Sequence, residues 1–70
     1  MASITLNSGD RLREVASQRF GRVGPEWIVE DIFVGTDGVE YAKVALAVDM
    51  SHRKTLSIAV LTDRRRFMLL

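Results

Sequence analysis

Asp37-Gly38 stands between two runs that both read as β-strand, and this arrangement restricts the fold more than any other stretch of the chain. Trp27 to Val34 is built from β-branched and aromatic residues, which suit a pleated, partly buried surface. Val39 to Asp49 alternates, with Ala42, Val44, Leu46 and Val48 on one face and Tyr41, Lys43, Ala45 and Ala47 on the other. The linking Gly35-Thr36-Asp37-Gly38 is a hairpin signal, because the glycine tolerates the positive φ that tight turns demand. The Trp27 run is apolar on both faces: Trp27, Val29 and Phe33 on one, Ile28, Ile32 and Val34 on the other. Burial on both sides, or a bulge that switches the inward face, would produce that pattern. Glu30 and Asp31 mark where it reaches water or an arginine partner.

The other elements follow the same logic. Ala2 to Leu6 reads as a short strand and Asn7-Ser8-Gly9-Asp10 as a turn. Asp10 to Ala16 reads as a strand, although Leu12, Val15, Ala16 and Phe20 also make a helical stripe that Asp10 would cap and Gly21 would end. Ser17 to Pro25 is a loop, broken by Gly24-Pro25. Met50 to Lys54 reads as a polar turn and Thr55 to Leu61 as a strand. Thr62-Asp63-Arg64 then reads as one helical turn, and Phe67 to Leu70 as a short apolar strand. Ile32, Val44, Leu46, Ile58 and Val60 are the expected core.

Size limits what such a chain does alone. Its 70 residues make one domain, residues 1–70. A domain of this length buries only about 60% of the surface its unfolded chain exposes. Small folds therefore need a staple. Disulfides are excluded by the absence of cysteine, and one histidine without thiols cannot close a structural zinc site. Oligomerisation remains. No stretch approaches the ~20 apolar residues of a membrane helix, so no membrane partner is expected. The first residues lack the basic start and apolar core of a signal peptide, so a cytoplasmic protein is expected.

The order of elements carries a resemblance. Gly9-Asp10-Arg11-Leu12 opens the fold, Trp27-Ile28-Val29 starts a second long strand, and Leu61-Thr62-Asp63 precedes Phe67. From Gly9 to Leu70 the chain resembles the small Src-homology-like barrels, the class that includes Tudor and KOW-type modules. It is also similar to small uncharacterised bacterial proteins, for which the resemblance implies no activity. The resemblance implies an all-β domain: a small antiparallel barrel of about five strands with one short helical turn before the last. The alternative is an α+β domain with a helix near residues 10–20. Signalling barrels bind proline-rich peptides on several clustered aromatics. This chain has only Phe20, Trp27, Phe33, Tyr41 and Phe67, and no acidic-aromatic opening motif, so that activity does not carry over.

Asp49, Ser51 and His52 suggest nucleophilic catalysis as letters, but a triad needs groups converging from different elements with the base between the others. A solvated turn is the expected reading. Asp37 and Glu40, with Glu30 and Asp31, are too few and too badly spaced for a calcium loop. No glycine run leads into Gly-Lys-Ser/Thr, so a phosphate-binding loop is excluded. No catalytic residue, cofactor or metal is expected. Arg64-Arg65-Arg66 beside Phe67, with Arg53 and Lys54 one strand away, is the pattern that contacts phosphate while an aromatic stacks on a base. A net charge of +1 weighs against nucleic acid, since it gives little long-range attraction to a polyanion. Phe67, Met68, Leu69 and Leu70 form an uncharged strand that invites pairing with a second copy. The expectation is a non-enzymatic interaction module that self-associates, with an unknown protein partner. Nucleic-acid binding through Arg53, Lys54, Arg64, Arg65, Arg66 and Phe67 is the alternative.

Overall fold

The computed structural model describes residues 6–15 and 24–70. Five strands and one turn of helix follow in the order β1 (Arg11–Glu14), β2 (Glu26–Val34), β3 (Glu40–Leu46), β4 (Asp49–Ser57), α1 (Ile58–Leu61) and β5 (Phe67–Leu69). They build one sheet, ordered β4-β3-β2-β1-β5, in which every neighbouring pair is antiparallel. The domain is therefore mostly β. Among the described residues β4 and β5 are edges that do not meet, so the sheet is open. The expected strand at Ala2–Leu6 and the loop from Ser17 lie outside the described residues, apart from Leu6, Gly24 and Pro25. Arg11–Glu14 is strand, not the start of a helix; residues 16–20 of the helical alternative also fall outside.

The β2–β3 hairpin forms where Asp37-Gly38 places it. Gly38 adopts φ +81°, and Gly35 N–H donates to the Val39 carbonyl at 2.8 Å. A bulge in β2 resolves its two apolar faces. Val29 lies opposite Val44, yet Asp31 lies opposite Lys43, so Glu30 is the extra residue. Trp27 and Val29 face inward before the bulge and Ile32 after it, which leaves Phe33 to stack on Tyr41 with ring centroids 5.8 Å apart. The Asn7–Asp10 turn clamps this bulge. Gly9 N–H donates to Val29 O at 2.7 Å and Ser8 Oγ to Glu30 O at 2.8 Å, with Gly9 at φ +95°.

Three expectations in the second half are corrected. The strand from Val39 ends at Leu46, and the chain reverses at Ala47-Val48, leaving Val48 89% exposed. Residues 50–54 then belong to β4 and are no turn. Their polar signal appears instead as a break in register, for Ala45 pairs with Arg53 and Leu46 with Asp49, which leaves Met50, Ser51 and His52 as surplus. Finally, β4 stops at Ser57, and the helical turn is Ile58–Leu61 rather than 62–64. Ser57 Oγ accepts from Val60 N–H at 3.2 Å, an N-cap that satisfies one orphan donor. Thr62 Oγ1 closes the other end by donating to Ile58 O at 2.8 Å. The helical turn swings Leu61 into the core, where it is 1% exposed.

The core comprises Leu6, Leu12, Trp27, Val29, Ala42, Val44, Leu61 and Phe67. Of the five expected core residues, Val44 is buried; Ile32, Leu46, Ile58 and Val60 are partly buried against the cluster. No helix among the described residues is long and apolar enough to cross a membrane.

Candidate functional site

The inner end of β1 organises the surface beside α1 and β5. Alternation points Leu12 and Glu14 to the inner face, opposite Trp27. Glu14 Oε1 accepts from the Trp27 indole N–H at 3.0 Å and lies 3.7 Å from Lys54 Nζ. Lys54 in turn stands 4.2 Å from the Trp27 ring centroid, a cation–π contact. Its inward position on β4, opposite Val44, brings it there.

Two grooves flank this cluster. The larger, about 460 Å³, is lined by Leu6, Leu12, Val15, Leu61, Met68 and Leu69 among others, and Arg64 is the one charged residue in its lining. The smaller, about 280 Å³, has Leu56, Val60, Val15 and Phe67 as its apolar part and Glu14, Lys54, Arg65 and Arg66 as its charged part. The arginine triplet is thus split: Arg64 faces one groove, Arg65 and Arg66 the other.

Ion pairing separates these cations further. Arg53 Nε meets Glu30 Oε1 at 2.7 Å on the outer face, where it flanks the fully buried Ala45. Arg66 Nε lies 3.8 Å from Asp63, whose other oxygen accepts from Arg65 N–H. Arg64 and Arg65 make no ion pair among the described residues. The remaining residues, 1–5 and 16–23, contain no acid. Phe67 is 5% exposed, so its ring is spent in the core and offers no face to a base.

The self-association candidates lie at the other edge. Met68, Leu69 and Leu70 are 55%, 45% and 56% exposed, while Phe67 anchors β5 inward. Val15 N–H donates to Arg66 O at 2.7 Å and Leu70 N–H to Arg11 O at 2.9 Å. Antiparallel alternation then directs the Met68 amide and carbonyl at Arg13, and those of Phe67 and Leu69 away from β1. Phe67 N–H is taken by Asp63 O at 2.9 Å. Among the described residues the open edge is the Phe67 carbonyl and both backbone groups of Leu69.

The remaining candidates are local. Asp49 accepts from the Ser51 hydroxyl and amide, and His52 Nδ1 lies 3.4 Å from its other oxygen. These contacts hold the Asp49 carboxyl below its ordinary range, the Ser51 hydroxyl foremost. The acid sits between serine and histidine, so the hydroxyl proton points at Asp49 and not at a base. Asp37 is likewise lowered by the Tyr41 hydroxyl, 2.6 Å away, and then by Val39 N–H. No group of three potential metal ligands occurs among the described residues. Sequence reasoning missed Glu14, Trp27, Leu56, Val60 and Leu61. Strand alternation from Leu12 would have flagged Glu14 as inward. No family model, curated protein or solved structure matches the chain.

Proposed function

We propose that the chain is an open Src-homology-like barrel that acts as a non-enzymatic interaction module and self-associates through β5. The element order, with one helical turn before the last strand, supports the fold reading. The contrast between the two sheet edges carries the function. β4 is guarded by His52, Arg53 and Lys54 and by its register break, both common protections against edge pairing. β5 has neither, and exposes an uncharged Met68-Leu69-Leu70 next to an apolar groove. Antiparallel addition of a second β5 about a two-fold axis at Leu69 satisfies both of its backbone groups and is self-complementary. Light scattering across a concentration series tests this. A dimer is expected for the natural chain, and a folded monomer for the Met68→Lys, Leu69→Lys double variant. A natural chain that stays monomeric at the highest concentration removes the proposal.

A second reading, nucleic-acid binding, is favoured by one observation: Arg64 and Arg65 have no carboxylate partner. Against it stand the net charge of +1, the burial of Phe67 and the use of Arg53 by Glu30. Anisotropy of labelled oligonucleotides decides. Saturable binding that weakens steeply with salt and vanishes in Arg64→Glu, Arg65→Glu establishes the second reading. Its absence at physiological salt leaves self-association.

A further inference from the structure

We propose that the smaller groove is a binding site for a phosphate monoester carried on a small apolar body. Its lining places three cations, Lys54, Arg65 and Arg66, against one carboxylate, Glu14. That carboxylate is already engaged by the Trp27 indole and by Lys54, so it does not reach for the arginines. The Arg65 guanidinium has no acid to meet among the described residues, and no other acid exists in the chain. Arg66 is held only loosely, 3.8 Å from Asp63. The lining carries an excess of two positive charges, offset in part by Asp63 beside Arg66, and so favours an anionic group such as a phosphate, which carries about −1.5 to −2 near neutral pH. Two guanidiniums supply the planar donor forks that phosphate oxygens accept in pairs.

The rest of the groove selects what carries the phosphate. Leu56 and Val60 give it an apolar side, so a bare inorganic ion leaves that surface wet. At about 280 Å³ the space is at or below the small end of ligand pockets, roughly 300–1,000 Å³. A single ring or short chain fits; a larger ligand does not. The groove draws on Arg65 and Arg66 but not on Arg64, which faces the other groove, and it does not include the exposed Met68 and Leu69 of β5.

Titration of the full chain with phenyl phosphate, followed by amide nitrogen–proton correlation spectra, tests the site. Saturable shifts are expected at Lys54, Leu56, Val60, Arg65 and Arg66, with Kd of about 1 mM or tighter. Inorganic phosphate, which lacks the apolar body, and benzoate, which keeps the ring but offers one charge and two oxygens where a phosphate offers about −1.5 to −2 and three, are each expected to bind about tenfold more weakly. Arg65→Gln changes an exposed side chain with no ion pair, so its spectrum is expected to stay folded while affinity falls about tenfold. Shifts scattered outside the groove, benzoate binding as tightly as phenyl phosphate, or undiminished affinity in a folded Arg65→Gln would each overturn the proposal. Binding of oligonucleotides without binding of phenyl phosphate would overturn it as well.

Discussion

Lys54 Nζ lies 4.2 Å from the centroid of the Trp27 ring, so a residue from the edge strand covers the only tryptophan in the chain. Glu14 joins them by accepting from the indole N–H at 3.0 Å. Three strands, β1, β2 and β4, are thereby tied at one point. The Lys54–Glu14 pair itself contributes little, because both side chains are 40% exposed and water screens them. The cation–π contact is worth about 0.5–1 kcal/mol at such a site. Lys54→Met keeps the apolar stem and loses the charge. Its expected cost in urea unfolding is therefore about 0.5–1 kcal/mol, with a changed tryptophan emission in the folded state. An unaltered midpoint and emission together would show that Lys54 does not sit on the ring.

Leu61 and Leu46 separate the observed core from the one alternation suggests. Leu61 is 1% exposed, and its removal leaves a cavity that a small core cannot close. Leu61→Ala is expected to cost about 2–5 kcal/mol, enough to unfold much of a marginal domain. Leu46 is only partly buried beside the Ala47-Val48 turn, so Leu46→Ala should cost clearly less. Equal melting temperatures for the two variants would contradict the helical turn that carries Leu61 inward.

That contrast shows where the sequence is legible. The β2–β3 hairpin can be read because Asp37-Gly38 imposes its turn locally, whatever the rest of the chain does. Ala47-Val48 cannot, since neither residue prefers a turn; pairing of Leu46 with Asp49 makes the reversal there. Asp49, Ser51 and His52 do not make the expected turn: their side chains fold onto one another, but the backbone there is strand, and the polar run appears as a register break inside β4. Ile58 to Leu61 has strand propensity, and tertiary burial of Leu61 with the Ser57 cap overrides it. The Arg65 and Arg66 side of the smaller groove was visible as charge. Its apolar side was not, because Leu56 and Val60 join Phe67 only through the long-range fold.

Gly35 is expected to be intolerant of any side chain. A Cβ built there lies 2.7 Å from Tyr41 Cε2 and 2.8 Å from Asp37 Oδ1, so ring and carboxylate must both move. Overpacking of this kind costs about 1–3 kcal/mol. Thermal melts of Gly35→Ala should show that loss, and adding Tyr41→Ala should recover part of it. Additive losses in the double variant would place the clash elsewhere.

The Asp37–Tyr41 contact gives the hairpin a pH dependence with a definite sign. The Tyr41 hydroxyl lowers the Asp37 carboxyl below its ordinary 3.8, so the folded state binds that proton less tightly than the unfolded one. The contact's stabilisation is therefore present above the ordinary value and is lost as pH falls through the lowered one. Tyr41 is raised above 10.0 by the same carboxylate, so its share is present below pH 10 and is lost as pH rises past the raised value. Asp37 is exposed and Tyr41 only partly buried, so the effect is small. Asp37→Asn should flatten the acid limb of the stability profile without moving the neutral plateau by much. An acid limb identical to that of the natural chain would assign the dependence to other carboxyls.

Proline distinguishes the two sides of β5. Met68 sends its amide toward Arg13 in the ladder with β1, whereas the Leu69 amide faces the open edge. Met68→Pro removes a ladder hydrogen bond and leaves the Arg13 carbonyl without its donor, a loss of about 1–3 kcal/mol where the site is buried. Leu69→Pro removes only a donor that points away from the sheet, a position edge strands tolerate. Its melting temperature at low concentration should stay near that of the natural chain. At high concentration the two should diverge, because a proline at Leu69 cannot donate across a two-fold axis to a second copy. Sedimentation velocity is then expected to show a monomer for Leu69→Pro where the natural chain is dimeric. If Leu69→Pro remains dimeric, the copies meet through some other surface and the β5 edge is not the interface.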